Sequence, residues 1–433
     1  MPHPRDESPI PLDHHELHLY ADPSRVVLKP FAIPTMPLTN GSMSRAERII
    51  RAVLALSDEE CDAELAEVDR DFHNRHWTTH SIFLDRFVEI KRSVPDIGFV
   101  TENHAKLVGA YFSHEYAYAA AAIMNPSIVP HPDQTGMKHG AVRFVMSIRT
   151  VGEGHISSIA FREGVALPDG ELQLWPEPPF AITAAPIEQD DSTGAVTLQR
   201  HEYTSLSGTV IFPTTPAQSN GVEDLRLVRF AEDDGTQTYL GTYTAYSGRD
   251  IGCELLQTDR FAEFRMTPLR GEAARHKGLA LFPRRIGGQY AAIGRLDQES
   301  LYFLSSDDLL SWSAGEKILQ PKYPWELVQL GNCGSPIEVE DGWILLTHGV
   351  GAMRQYSIGA ALLDLNDPSK VIGRTRLPFL QPHDETREGY VPNVVYTCGA
   401  MKVGDRISIP YGVADSSVRC VSVKIADLVS AME

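Results

Sequence analysis

The chain has 433 residues, 42% hydrophobic and 22% charged, with a formal net charge of −18. That composition is globular, not disordered, and the length suits two or three ordinary domains or one large repeat architecture with an appendage. The negative charge argues against nucleic acid and against an anionic membrane as partners, so any bound anion must be held by a local basic cluster. No apolar run reaches the roughly 18 residues that a membrane-spanning helix needs.

Met1–Arg5 is polar and proline-bearing and lacks the apolar core of a signal peptide. The five cysteines (Cys61, Cys253, Cys333, Cys398 and Cys420) are odd in number, widely spaced and form no CxxC pair. They predict free thiols in a cytoplasmic protein, with neither a disulfide scaffold nor a zinc site. Residues 1–43 read as an arm with one short strand at Arg25–Leu28. Residues 44–104 read as a helical extension. Ile49, Ile50, Val53, Leu54 and Leu56 mark one helix face, and Ser57 with Glu60 forms a capping box that starts a second helix. Cys61, Leu65, Val68 and Phe72 are its expected buried stripe. A third helix is predicted over Thr79–Ser93, with Ile82, Phe83, Phe87 and Ile90 inward and a stop at Pro95. His73, His76 and His80 fall at helical spacing but read as ordinary helix-surface histidines, with no carboxylate or cysteine to complete a metal site. His104–Ala122 alternates aromatic and alanine residues.

Beyond residue 123 or so, short β-branched or aromatic runs are separated by Gly, Pro, Asp and Asn. They include Val142–Thr150, Ile156–Phe161, Thr238–Thr244, Tyr290–Gly294, Leu301–Ser305, Trp343–Thr347, Ser357–Leu365 and Arg406–Ile409. Thr258-Asp259-Arg260-Phe261 before Phe264 and Ser306-Asp307-Asp308-Leu309 before Trp312 form a loose repeat nearly fifty residues apart. A period of that size with about four strands per unit suits a β-propeller blade, which makes residues 105–433 a five-bladed propeller. A sandwich or two separate β domains is the alternative. Trp312, Trp325 and Trp343 fall in blade-like contexts and read as structural.

One stretch carries chemistry on its own. Glu223-Asp224-Leu225-Arg226 reads as a short loop feeding a β-branched strand, with two adjacent carboxylates beside a guanidinium. Close like charges raise one carboxyl while Arg226 holds the other ionised, an arrangement that keeps one acid protonated near neutral pH. A solvated turn in which a carboxylate pairs with Arg226 is the ordinary reading of the same residues. No Ser-His-Asp order, Walker loop or dinucleotide fingerprint is present.

Several stretches come in a shared order: Asn125-Pro126-Ser127, Glu223-Asp224-Leu225-Arg226, Lys277-Gly278-Leu279-Ala280-Leu281-Phe282-Pro283, His348-Gly349-Val350 and Gly359–Leu365 with Pro368–Ile372. Val391-Pro392-Asn393-Val394-Val395-Tyr396 and Tyr411-Gly412-Val413-Ala414-Asp415 follow. Together, over roughly residues 120–430, they resemble glycoside hydrolase family 130, the β-mannoside phosphorylases and related mannosidases. The resemblance implies a five-bladed β-propeller with an N-terminal α-helical extension, and inverting attack on a β-mannoside by phosphate or by water. It implies that Asp224 is the proton donor, relayed through a sugar hydroxyl, and that Asn125, Ser127 and Asp415 hold the mannosyl unit. Leu225 stands where the family often has Pro, and Gly294-Arg295-Leu296-Asp297 where many relatives carry His-Arg-Pro.

An inverting hydrolase needs a second carboxylate to activate water, whereas a phosphate nucleophile needs cations instead. Arg149, Arg226, Lys277, Arg295, His348 and Arg354 are the candidates for an anion site, although each alone has an ordinary structural reading. Glu223 accompanies Asp224, and Tyr246 and Tyr356 are candidate sugar-stacking rings. Glu388 is the candidate base should water be the nucleophile, and Gly152-Glu153-Gly154-His155 is a polar loop that could line the site. The expectation is a phosphorylase of β-1,2-linked manno-oligosaccharides using inorganic phosphate as co-substrate, with no metal and no other cofactor, in a homo-oligomer. A β-mannosidase of the same fold and a non-catalytic glycan-binding propeller are the alternatives.

Overall fold

A computed structural model describes residues 10–36, 43–92, 94, 97–383 and 386–433. Met1–Arg5 and Pro95, on which two expectations rest, lie outside them. The protein is mostly β with a few helices. β1 (Asp13–Tyr20) and β2 (Val26–Pro30) precede four helices, α1 (Arg45–Leu54), α2 (Asp58–Phe72), α3 (Thr79–Lys91) and α4 (Glu102–Tyr111). β3 (Ser113–Ala117) then pairs antiparallel with β2.

Five sets of antiparallel strands follow. The first is β4 (Ala122–Pro130), β5 (Val142–Val151), β6 (Ser157–Ala166) and β7 (Leu172–Leu174). An inserted stretch adds β8 (Ile182–Thr183), β9 (Ala185–Asp190), β10 (Ala195–Gln199) and β11 (Thr209–Ile211), which pair onto the first and second sets. The second set is β12 (Gly221–Ala231), β13 (Gln237–Tyr246), β14 (Ile251–Thr258) and β15 (Glu263–Pro268). The third is β16 (Ala280–Leu281), β17 (Tyr290–Gly294), β18 (Leu301–Ser306) and β19 (Gly315–Leu319). The fourth is β20 (Gln329–Asn332), β21 (Ile337–Val339), β22 (Gly342–Val350), β23 (Tyr356–Leu363) and β24 (Val371–Arg374). The fifth is β25 (Val395–Tyr396), β26 (Met401–Val403), β27 (Arg406–Val413) and β28 (Ser417–Lys424), before the short α5 (Ile425–Ser430).

The core explains why the strand segments read as apolar runs and not as clean alternations. β22 is buried along its whole length and β4 over all but its last residue, because both faces of these strands are covered. One apolar cluster joins the first set to the second through Phe161, Phe264 and Leu225. Leu240, Leu281 and Trp312 join the second to the third. Phe282 and Trp343 meet edge-to-face at 5.0 Å between the third and fourth. Ile344, Ile358, Ile407 and Val421 join the fourth to the fifth, and Met146, Phe144, Val418 and Cys420 join the fifth back to the first.

The helices have their own cluster, with Ile50, Val53, Cys61, Phe87, Ile90, Leu107 and Phe112 inside. Ser44 caps α1 by accepting from the Glu47 N–H at 3.0 Å, and Ser57 and Glu60 form the expected box at 2.9 and 3.2 Å. α4 runs through the expected junction at residue 104, and His104–Ala122 resolves into the rest of α4, β3 and a turn. Two expectations in this region fail. Phe72, at the end of α2, is 37% exposed, because α4 lies against the earlier part of α2, where Asn103 bonds Asp62 and Tyr111 bonds Glu64. His76 is buried in the turn after α2, not on a helix surface, and bonds Glu115 at 2.7 Å. No helix among the described residues is long and apolar enough to cross a membrane.

The arm also holds more than the single expected strand. β1 pairs antiparallel with β28 and becomes the outer strand of the fifth sheet. Its sequence DHHELHLY hides this, since Leu17 is its one buried side chain and the others are exposed or half-exposed, as on an edge strand. Leu17→Ala should therefore lower stability by about 2 kcal/mol, while the exposed neighbour Glu16→Ala stays within about 0.5 kcal/mol. Urea unfolding of the two variants checks this, and equal midpoints would show that β1 adds nothing to the fifth sheet.

Candidate active site

Two strand irregularities build the site. In the β4–β5 ladder the register slips between Met124 and Ser127, and in the β12–β13 ladder it slips between Glu223 and Arg226. Each is a bulge, and each places a non-glycine residue in the left-handed region: Asn125 at φ 52° and Asp224 at φ 58°. The two bulges face each other, and Asn125 Nδ2 donates to Asp224 Oδ1 at 2.6 Å. Glu223, Asp224 and Arg226 thus lie within a strand, not in the expected loop. The bulge turns consecutive side chains toward the same place, which a regular strand would send to opposite faces.

The carboxylates are paired, but not as expected. Arg149, on β5, donates from Nη1 to Asp224 Oδ1 at 3.0 Å and from Nη2 to Glu223 Oε1 at 2.6 Å, while its Nε is steadied by Ser157 Oγ at 3.0 Å. Lys277 Nζ takes the other Glu223 oxygen at 2.9 Å. Arg226 bonds no carboxylate oxygen here. It donates to the backbone carbonyl of Asp224 at 3.0 Å and to Tyr396 Oη at 2.8 Å, leaving its buried Nε without a partner. Arg295 donates to the Lys277 carbonyl at 3.2 Å. Gly278, at φ 96°, allows that approach, since a Cβ would lie 2.9 Å from the Arg295 side chain.

This charge balance reverses one expectation. Burial pushes the Asp224 carboxyl up, but Arg149, Arg226 and Lys277, with the Asn125 hydrogen bond, outweigh it and hold the group well below the usual carboxylate range. The raised acid is Asp415 instead, pushed up to about 6 mainly by burial and by the Asp224 charge, against the pull of Arg149 and Arg354. Asp415 and Ala414 both stand at φ 49° in the β27–β28 turn, so this residue too is held in a sparsely populated conformation.

The remaining candidates divide. His348, on β22, is buried and stacks on Tyr356 at 5.8 Å and edge-on to Tyr396 at 4.9 Å. Burial, Arg295 and Arg226 push its pKa far below the ordinary value, so it is a neutral imidazole and not the expected cation. Arg354 is exposed in the β22–β23 turn, 6.0 Å from the Tyr356 ring centre. Ser127 is wholly buried and its hydroxyl accepts from the Leu227 N–H at 3.0 Å. It ties the β4 bulge to β12 and packs on Gly399 so closely that a Cβ there would collide; the structure does not offer it to a sugar. Tyr246 ends β13 opposite Gly221, half-buried, at the Glu223 end of that ladder. Glu388 is exposed on the turn before Tyr390, outside the carboxylate cluster. Two residues that matter were not singled out: Tyr396, the partner of Arg226, and Ser157, the support of Arg149. Tyr396 closes a quoted stretch; Ser157 carries no signal in sequence. Among the described residues no group of His, Cys, Asp or Glu side chains is arranged to hold a metal, and all five cysteines are buried free thiols.

Residues 183–433 match the family model for β-1,4-mannooligosaccharide phosphorylases, and the chain belongs to glycoside hydrolase family 130. It is 31% identical over 242 residues to a β-1,2-mannobiose phosphorylase of Listeria innocua, a match covering 54% of this chain and 66% of that protein. It is 33% identical over 239 residues to a 1,2-β-oligomannan phosphorylase of Thermoanaerobacter, covering 54% of this chain and 78% of that one. The solved structure of the Listeria innocua enzyme with β-1,2-mannobiose shares the fold, with a TM-score of 0.52 at 22% identity over 72% of this chain and 92% of that one. Asn125, Ser127 and Arg149 precede the matched family segment and join the cluster through geometry alone.

Two outcomes follow from these charges. Arg149→Ala should lower turnover of a mannoside about a hundredfold, with Arg149→Lys between it and wild type, because one guanidinium spans both carboxylates. Initial rates check this, and a variant within threefold of wild type would place Arg149 outside the machinery. Asp415 holds its proton more tightly folded than unfolded, so its contribution to stability is full below about pH 4 and is lost as pH rises through about 6. Asp415→Asn should therefore be more stable than wild type at pH 7.5, by on the order of 2 kcal/mol, with the gain vanishing toward pH 4. Thermal melts across that range read the sign directly.

Proposed function

We propose that this protein is an inverting phosphorylase of β-mannosides, acting on β-1,2-linked manno-oligosaccharides and releasing α-mannose 1-phosphate. The observation that carries the reading is the set of cations around one acid: the buried Arg226 and the partly buried Arg149, Lys277 and Arg295 gather at Asp224. A hydrolase has no use for that much positive charge, whereas a phosphate dianion needs it. Relatives at 31–33% identity that are β-1,2-mannobiose and oligomannan phosphorylases favour the same reaction and linkage.

Asp224 is the proton donor in this reading, acting on the glycosidic oxygen through a sugar hydroxyl, while Asn125 and Asp415 hold the mannosyl unit. The low carboxyl of the ligand-free site fits this role. A phosphate entering among the cations cancels the field that keeps Asp224 ionised, and burial then raises the carboxyl. The acid is protonated when the nucleophile is in place, and no second carboxylate is needed to activate water.

We also infer that the five sheets close into a five-bladed β-propeller, with the helices of residues 44–104 as an extension on its flank. The support is the five apolar clusters, one between each successive pair of sheets and the last between the fifth and the first. In this reading the site residues sit on the first strands of the sheets or at the ends of the second, where the sheets meet at the axis. Five buried thiols suit a cytoplasmic enzyme.

Turnover of β-1,2-mannobiose with and without inorganic phosphate tests the reaction, with mannose and mannose 1-phosphate resolved. Phosphate-dependent mannose 1-phosphate is expected, and Asp224→Asn should reduce it about a thousandfold. Free mannose formed at the same rate without phosphate would instead make the protein a β-mannosidase.

A further inference from the structure

Two turns at the edge of the site have the same construction. Gly152-Glu153-Gly154-His155-Ile156 joins β5 to β6 in the first sheet, and Gly351-Ala352-Met353-Arg354-Gln355 joins β22 to β23 in the fourth. Gly152 and Gly351 share nearly one conformation, at φ −107° and −101°. Their N–H groups donate to the carbonyls of Ile156 and Gln355 at 3.2 and 3.0 Å. The third and fourth residues of each turn are left-handed: Gly154 and His155 at 67° and 60°, Met353 and Arg354 both at 56°. Non-glycine residues there cost about 1 kcal/mol or more each, and such strain gathers where a side chain must be aimed. Arg354 acts on Asp415 from its turn. His155 is the residue that the same geometry presents in the first sheet.

His155 reaches across to Tyr390. The Tyr390 hydroxyl and His155 Nδ1 hydrogen-bond at 2.9 Å, and the rings lie 5.9 Å apart at 37°. Both ends are tied to site residues. Ser157, two residues beyond His155, steadies Arg149. The Tyr390 N–H donates to Ser416 Oγ at 3.0 Å, and Val391 N–H to the Ala414 carbonyl at 3.0 Å, so this segment grips the turn that carries Asp415. The His155 turn is propped from below by Tyr116, whose hydroxyl donates to the Glu153 carbonyl at 2.6 Å. Tyr390 is nonetheless 46% exposed.

In an inverting displacement the nucleophile and the leaving group lie on opposite sides of the reacting carbon. Arg226 comes from the second sheet, Lys277 and Arg295 from the start of the third and Arg149 from the first, whereas His155 and Tyr390 join the first sheet to the fifth. We propose that His155 and Tyr390 form a clasp on the leaving-group side of the site, and that the open face of Tyr390 takes the sugar unit released by cleavage. His155 is the positioning residue, fixing the ring by its hydrogen bond, and Tyr390 is the binding residue. An immobilised aromatic face is what the apolar face of a pyranose packs on. The clasp rests on the phosphorylase reading for its orientation and deepens it: it sets which acceptor sugar and what chain length are used.

The test compares Tyr390→Ala, Tyr390→Phe, His155→Ala and His155→Asn in phosphorolysis of β-1,2-mannobiose. Tyr390→Ala should raise the KM for the sugar about tenfold. Tyr390→Phe and His155→Ala should raise it about three- to fivefold, and His155→Asn, which keeps an acceptor for the tyrosine hydroxyl, should recover most of that loss. The KM for phosphate should stay within about twofold throughout. An unchanged sugar KM, or a phosphate KM that moves in step with it, overturns the clasp. Calorimetric binding of β-1,2-mannobiose separates this from failure of the reaction itself. A wild type that binds the sugar without turning it over refutes the phosphorylase, and the clasp is then upheld only if Tyr390→Ala loses that binding. A wild type that does not bind the sugar refutes both.

Discussion

The hydrogen bond between Asn125 and Asp224 is the contact on which the rest of the site depends. It joins two bulges, one in each of two neighbouring sets of strands, and both ends are non-glycine residues in the left-handed region. Neither conformation is favourable alone, and each persists because the ladders on either side over-determine it. Ser127 and Gly399 lock the β4 bulge from behind, the serine hydroxyl holding the Leu227 N–H and the glycine leaving room for the serine. The outcome is a carboxylate that cannot turn away from whatever binds in front of it.

Around that fixed acid the protein keeps a balance of charge that is tense by construction. Arg149, Glu223, Asp224 and Lys277 satisfy one another in the ligand-free state, while Arg226 Nε is buried without a partner. Buried pairs of this kind are weak sources of stability, because desolvation takes back most of the attraction. Their value is that they can be rearranged by an incoming charge. The neutral His348 and the depressed Asp224 both reflect the surplus of guanidinium in a dry place, whereas Asp415 is raised against that surplus by burial and the Asp224 charge.

Much of this was legible in the sequence, and the gaps have physical reasons. Glu223, Asp224 and Arg226 stood out because three charges at that spacing are hard to place idly, and the period of strands and turns marked the β character of the chain beyond residue 123. The loop assignment failed because a bulge built from Asp, with no glycine, looks like any strand entry. The raised acid lies outside that stretch, at Asp415, and the expected carboxylate pair with Arg226 does not form. The actual partner, Arg149, is 75 positions away, and only the fold brings it near. β1 escaped notice because an edge strand with one buried side chain lacks the alternation that marks a strand.

The pairing of β1 with β28 has a consequence for how the protein is made. His15 and Ser422 touch across a separation of 407 positions, so the fifth sheet cannot be finished until β28 has been made. Until β28 leaves the ribosome, β1 has no strand to join, and the inner faces of β4 and β5 lack the cover of Val418 and Cys420. Non-local closure of this sort is slow, and unpaired edges invite wrong partners while they wait. The polar character of Asp13–Tyr20 then reads as protection: a nascent β1 rich in His, Asp and Glu stays soluble until its place is ready.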